Sequence, residues 1–415
     1  QMAVHIPLSQ ASQQEAINLM MPKHNLLKPA DGSPVTLPNK EMAVGIYYIT
    51  TIDESLTKKD IPNFKDEEEA LLAQSFKVIK VREAIFVRIN GEIIKTCVGR
   101  ILLNEHLPQN LGFINRSINA SGIKMIITQA IATCSPDEVE KLIDVIKSLG
   151  FYGATISGIS ISVFDNEMIK DRQKFVEEAD KKILEIEDEF QKGLITNEEK
   201  MRLSNDVWIK TTEQVADLTW DNLKEKNPIK IIIDSEGARA GKEQLKQLSA
   251  IRGLILDPLG KIVELPIKAN FREGLSIFEY VASARGSRKG LTDSALKTAN
   301  AGYLTRRLVD ASHDVIIRGE DCEGNVGIIV SSREKDRTAS FLERILGRVA
   351  ASNVVSKKTK KIIVKTNDEI TDGVAKKIVD NDVEEIVVRS PIICRLEYGI
   401  CASCYGWDFS TRKKV

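Results

Sequence analysis

Between residues 167 and 226, Phe175, Ala179, Ile183, Ile186 and Phe190 recur at intervals of four, four, three and four. That period lays one apolar stripe along a helix, whereas a strand would need alternation every second residue. Gly193 interrupts the stripe, and Thr196 with Glu199 three residues later forms a capping-box pattern for a second helix towards Leu223. Two long charged helices with a short joint predict an antiparallel helical hairpin over 167–226. On residues alone this fits any coiled-coil arm, so it constrains shape and leaves function open.

The flanking sequence has a different texture, and 415 residues are more than one ordinary core accommodates, which suggests two to four units. QASQQEAINLMM reads as a helix, followed by turns around Pro29, Asp31-Gly32 and Pro34 and a strand-like apolar run from Met42 to Thr50. Residues 74–103 alternate as strands do, with Asn90-Gly91 as a hairpin turn. Ser135 is an N-cap, with Pro136 in the first turn and Glu138 three after the cap, for a helix through Leu149. IKIIID near residue 230 reads as a strand within an irregular stretch, 227–272, rich in glycine and proline.

Residues 273–310 contain no proline and read as one helix of roughly 55 Å, although Gly274, Gly286, Gly290 and Gly302 weaken it and a break at Gly286-Ser287 fits equally well. Beyond 311 come short strands and turns, a lysine-rich linker at 356–361, then IIVKTNDEI and EEIVVRS. The fold class is therefore α+β and multi-domain, with small mixed sheets.

Lys+Arg and Asp+Glu each number 59, so no global field announces a nucleic-acid partner. The neutral average hides a basic segment: Arg285, Arg288, Lys289, Lys297, Arg306 and Arg307 face one acid, Asp293, between 285 and 307. No run of eighteen apolar residues occurs, so a membrane-spanning helix is not expected. The opening QMAVHIPLSQ has neither the basic start nor the apolar core of a secretory signal, and a start without Met hints at a longer parent protein. The chain has no nucleophile elbow, Walker-type glycine loop or H-E-x-x-H helix.

Cys394, Cys401 and Cys404 stand as C-x6-C-x2-C, a spacing that suits tetrahedral zinc better than disulfides, with a redox C-x-x-C as the alternative. Spacing leaves the fourth ligand open. Cys322, in the turn-like Glu-Asp-Cys-Glu-Gly, is a better candidate than Cys97 or Cys134, which look like core thiols. His5, between Val4 and Ile6, reads as a packed strand residue rather than a ligand.

Several stretches resemble, in order and over nearly the whole length, the beta-prime (largest) subunit family of bacterial multisubunit RNA polymerases. QMAVHIPLS resembles the residues after that family's three-aspartate magnesium loop. EAINLMMPKHNLLKPADGSPVTLPNKEMAVGIYYIT resembles the entry to the pore, and IRGLILDPLGKIVELPIKANFREGL the loop supporting the bridge helix. ARGSRKGLTDSALKTANAGYLTRRLVD resembles the bridge helix itself.

The resemblance implies a division into the end of the active-site barrel (1–50), a pore domain (51–166) and a rim-helix hairpin of the secondary channel (167–226). It then implies a bridge-supporting loop region (227–272), a bridge helix (273–310) and a zinc-binding part of the cleft (311–415).

It further implies structural zinc on Cys322, Cys394, Cys401 and Cys404, and a triphosphate contact from Arg239, since a guanidinium fork suits phosphate oxygens. Lys297, Thr298 and Ala299 would lie beside the template base and incoming nucleotide, with Arg288, Lys289, Arg306 and Arg307 on the same helix neutralising phosphates. The family usually reads S-G-A-R-G-S where this chain has Ser235-Glu-Gly-Ala-Arg239-Ala-Gly, and Arg285 stands where histidine is common.

The function so implied is a share in template-directed RNA synthesis. The Mg2+ would be held by aspartates preceding Gln1, so this chain alone is expected to be inactive. The implied partners are the beta, alpha-dimer, omega and sigma subunits, DNA, RNA and nucleoside triphosphates, with no membrane and a cytoplasmic, nucleoid-associated location. The alternative is a non-catalytic nucleic-acid-binding scaffold, or one half of a split subunit.

Overall fold

The computed structural model describes residues 3–56, 61–324, 327–334, 339–356 and 361–415. They form two units, one of residues 36–297 and one combining 1–35 with 298–415. A short helix α1 (Gln10–Glu15), capped by Ser9, opens the second unit. Val4, His5 and Ile6 are exposed and belong to no strand, so His5 is not the packed strand residue its neighbours suggested.

The larger unit begins with α2 (Glu41–Thr50), where the apolar run implied a strand. The reason is a contact at a distance. Gly45 packs against the backbone of a later helix so closely that a Cβ there would lie 1.9 Å from the Gly150 carbonyl oxygen. Ala43, Ile46, Ile49 and Thr50 are fully buried around it, and this tertiary burial overrides the β preference of the sequence. Next come β1 (Asn63–Phe64), α3 (Glu67–Ser75), β2 (Ala84–Ile89), β3 (Glu92–Cys97) and α4 (Val98–Asn104).

The sheet order is β1-β2-β3, parallel then antiparallel. Asn90 and Gly91 both take positive φ, 50° and 90°, as the two-residue turn between β2 and β3 requires. Strand structure is narrower than alternation implied. Lys77 turns the chain at φ 60°, Phe76 and Val78 are exposed, and α4 takes over after Cys97. Ile85, Val87, Val98 and Ile101 fill the core beneath the sheet with Ala70 and Ile79.

Helix α5 (Ala120–Thr133) leads into α6 (Pro136–Ser157), which has the expected capping box: Ser135 Oγ accepts from Glu138 N, and Glu138 Oε2 accepts from Ser135 N at 2.8 Å. It runs past Leu149 because Gly150 and Gly153 are its contact with α2. Helices α7 (Arg172–Gln191) and α8 (Asn197–Asn222) follow, the first ending before Gly193 at φ 74° and the second capped by Thr196. They pack on each other through Val176, Ala179, Trp208 and Val215 with Ala250 and Ile251 beneath. IKIIID forms α9 (Pro228–Asp234), not a strand: Asn227 caps it and Pro228 occupies its first turn, both start signals for a helix. Helix α10 (Lys242–Ser249) completes this region.

Helix α11 (Ile277–Ser312) is continuous over 36 residues, through Gly286, Gly290 and Gly302, and spans about 54 Å. Among its described residues only Ser283 is buried. Its start is held by Glu279, whose carboxylate accepts from the N–H groups of Lys268 (3.0 Å), Ala269 (3.2 Å) and Ser276 (2.9 Å). Lys268 pairs with Asp180 on α7 at 2.6 Å, and Arg172, also on α7, donates to the Ala250 and Lys268 carbonyls.

The remainder holds small two-stranded sheets. β4 (Ile317–Gly319) pairs in parallel with β9 (Ile400–Cys401), and β5 (Ile328–Ser331) pairs antiparallel with β8 (Glu385–Val388). Between them lie α12 (Phe341–Ile345), β6 (Val354–Val355), β7 (Ile362–Val364) and α13 (Asp372–Asp380) around a core of Ile345, Ile370, Ile378 and Val388. Residues 357–360, most of the lysine-rich linker, lie outside the described residues.

Candidate metal centre and basic helix

The β4–β9 pairing brings two distant segments side by side: the turn at Cys322 after β4 and the loop from Cys394 to Cys404. Cys401 caps the one-turn helix α14 (Ala402–Tyr405), its Sγ accepting from Cys404 N at 3.3 Å, while Cys394 Sγ accepts from Cys401 N at 3.4 Å. The four ligand atoms of Cys322, Cys394, Cys401 and Cys404 all lie within 4.8 Å of one another, and Cys322 Sγ is 3.7 Å from Cys404 Sγ. Tetrahedral zinc with Zn–S near 2.3 Å sets sulfurs about 3.8 Å apart, so this donor set fits a zinc-sized ion. All six cysteines are free thiols; Cys97 is buried, and Cys134, expected in the core, is only half-buried.

Burial pushes the Cys322 thiol up, but the N–H groups of Arg395 and Gly324 and the neighbouring Cys404 and Cys401 outweigh it and bring it down to about 6. Burial raises the Cys404 thiol instead.

One contributor went unseen in the sequence. Arg389, 1% exposed, directs Nη2 to Cys322 Sγ at 3.3 Å and Cys401 Sγ at 3.9 Å. Both Nη atoms reach the Asp321 carboxylate, and Nη1 also donates to Asn367 Oδ1 at 3.0 Å. The only available signal was an arginine closing the apolar run EEIVVRS just before the cysteine loop.

The basic residues of α11 are spread along the rod. Arg288, Arg306, Lys297, Thr298 and Ala299 are exposed, Lys289 sits 3.6 Å from Asp293, and the Arg307 guanidinium lies 4.6 Å from the centre of the Tyr303 ring. At 3.6 residues per turn, Arg288 and Arg306 share one face about 27 Å apart, as do Lys289 and Arg307. Lys297 and Thr298 come half-way between and on the opposite side.

Arg239 is exposed after α9, on the wall of a cavity of about 940 Å³ that Lys40, Glu41, Ser157 and Glu236 also line. The extra residue of this loop, Glu236, has φ 54° and is tied to α5: its carboxylate accepts from Ser121 N at 3.2 Å and from the Ser121 hydroxyl. A Cβ on Gly237 would lie 2.5 Å from the Lys40 carbonyl oxygen, so the loop lies tight on the start of α2.

Comparison with known proteins gives the family. Residues 25–166 match the family model RNA polymerase Rpb1, domain 3, and residues 274–380 match RNA polymerase Rpb1, domain 5. The DNA-directed RNA polymerase subunit beta' of Caldicellulosiruptor saccharolyticus is 42% identical over 438 aligned positions, covering 100% of this chain and 38% of that subunit. The chain belongs to the RNA polymerase beta-prime family. The subunits beta' of Clostridium acetobutylicum and Pelotomaculum thermopropionicum are each 40% identical over the full chain, of which it covers 37% and 36%. The chain therefore spans a little over a third of the length of these beta-prime relatives. The second matched domain takes in α11 and the Cys322 turn, while the other three cysteines lie past its end.

Proposed function

We propose that this chain is the part of a DNA-directed RNA polymerase that lines nucleotide entry and supports the template, in a subunit completed by further sequence. The observation that carries the reading is α11: a 36-residue helix, exposed almost throughout, with two basic pairs five turns apart on one side, Ala299 between them on that side, and Lys297 and Thr298 on the other. Such a rod fits the bridge helix of the family. Its basic pairs suit phosphate backbones, and the small side chain of Ala299 leaves room for a base pair at the helix surface.

In this reading α7 and α8 are the antiparallel rim hairpin, and residues 51–166, 227–272 and 311–415 are the pore, the bridge-supporting loop and the zinc-binding cleft segment. Arg239, from the cavity wall beside α2, offers a planar fork to the incoming triphosphate. Cys322, Cys394, Cys401 and Cys404 hold a structural zinc, which would lock the turn after β4 to the C-terminal loop. In the whole subunit, magnesium would supply the electrophilic chemistry of phosphoryl transfer, on aspartates that are not among the residues of this chain. The other polymerase subunits, template DNA, product RNA and nucleoside triphosphates are the partners, and the cytoplasm is the location.

The test uses the assembled polymerase. Arg239→Ala should raise KM for nucleoside triphosphates tenfold or more, as loss of a charge-assisted contact of about 1.5–3 kcal/mol implies. Ala299→Val should lower kcat with little change in KM. Unchanged kinetics for both would leave a non-catalytic scaffold as the better reading.

A further inference from the structure

We propose that Arg389 is the outer-sphere cation of the four-cysteine centre: it delivers Cys322 to the other three sulfurs and slows release of the bound metal. The proposal rests on reading the cysteines as a zinc site, and adds to it a residue that carries no ligand atom.

Two geometric facts support it. First, Cys322 lies 72 residues before the next ligand, in a turn with Glu323 at φ 52°, so chain proximity does nothing to hold it near Cys394, Cys401 and Cys404. The β4–β9 pairing brings the segments together, and Arg389 ties the Cys322 turn in at the sulfurs themselves. It grips the carboxylate of Asp321, the residue immediately before Cys322, and contacts Cys322 Sγ and Cys401 Sγ with the same Nη2. The arginine is itself fixed to a core: it follows β8, and its N–H donates to the Val349 carbonyl at 2.8 Å. Through this one side chain, the turn after β4 is fastened to the β5–β8 sheet.

Second, the charges require it. Four thiolates on one divalent cation carry a net charge of minus two, which is costly to hold where Cys401 and Cys404 are buried. Arg389 is 1% exposed and its Nε has no partner among the described residues, whereas the Asp321 side chain is 38% exposed at the rim. Water screens the carboxylate more than the guanidinium, so the positive end of the pair acts on the sulfurs. Partners of this kind orient ligands and typically change metal affinity about 10–100-fold when removed.

The experiment is metal release from the assembled polymerase, followed with a chromophoric zinc chelator during stepwise blocking of thiols. The phase missing from a Cys322→Ser enzyme identifies this centre. Arg389→Met should release that zinc about 10–100-fold faster than wild type. Arg389→Lys, which keeps the cation and loses the fork, should recover part of the retention, an effect that mere packing would not give. Asp321→Asn leaves the core intact and should also speed release, which keeps the test open if Arg389→Met fails to assemble.

Release at the wild-type rate from Arg389→Met or Asp321→Asn would overturn the proposal while leaving the zinc reading intact. A wild-type enzyme with no zinc phase dependent on Cys322 would overturn both.

Discussion

Substituting alanine for glycine inside a helix ordinarily stabilises it by about 0.5–1 kcal/mol, since alanine gives up less backbone freedom on folding. At Gly45 the sign should invert. An added Cβ would lie 1.9 Å from the Gly150 oxygen and 2.6 Å from Ala154 N, both backbone atoms that no rotamer change can withdraw. Reaching ordinary contact would move α2 from α6 by roughly 1.5 Å, disturbing the side chains buried between them. Overpacking of this kind costs about 1–3 kcal/mol, and here relief requires helix displacement, so the upper half of that range applies. After the propensity gain, Gly45→Ala should destabilise the unit of residues 36–297 by about 1–2 kcal/mol, or lower its Tm by roughly 2–8 °C. Gly290→Ala on α11 is the control, because a Cβ there meets nothing within 4 Å. Thermal unfolding followed by far-ultraviolet circular dichroism should move the two variants in opposite directions. A Gly45→Ala chain as stable as the parent would refute the backbone-to-backbone packing of α2 on α6.

Trp208, 1% exposed between α7 and α8, should cost about 3–5 kcal/mol when replaced by alanine, seen as early melting of this helix pair in proteolysis. Ser135→Ala removes one arm of the α6 capping box and should cost about 1 kcal/mol in denaturant titration. Cys322→Ser should lower zinc by one equivalent per chain in metal analysis. Burial raises the Glu279 carboxyl, but hydrogen bonds from Ser276, Ala269 and Lys268 outweigh it and hold the group below the usual carboxylate range. Its contribution is therefore full above the unfolded value of about 4.3 and is lost as pH falls through the lower folded value. The stability gap between wild type and Glu279→Gln should be constant near neutral pH and close in acid; a gap that persists at pH 2 would contradict this assignment.

What could be read from the sequence was what depends on neighbours in the chain. The Ser135 and Thr196 caps, the Asn90-Gly91 turn and the α7 stripe each use residues within a few positions, and each formed where expected. The C-x6-C-x2-C loop is equally local, and the cluster that assembled includes the Cys322 that spacing alone had left open. Met42–Thr50 misled because its conformation is decided by Gly150 and Gly153, a hundred residues later. IKIIID misled because its β-branched residues outweighed the start signal of Asn227-Pro228. Arg389 escaped notice because a buried arginine is recognisable only once its partners Asp321 and Asn367 are known.

Helix α11 carries a consequence of its own. Anchored at Glu279, Ser283 and Arg285, which pairs with Asp257 at 3.1 Å, and exposed over most of its remaining length to Ser312, it relies there on its own backbone ladder, which Gly290 and Gly302 make less self-sufficient. Its local opening free energy should decline from the anchored end outward, so its amide protons should exchange with solvent along a gradient. The stiffness of such a rod is conditional. It belongs jointly to the helix and to whatever lies along it, so contact with a nucleic-acid or protein neighbour would change the rod's mechanics before changing its shape.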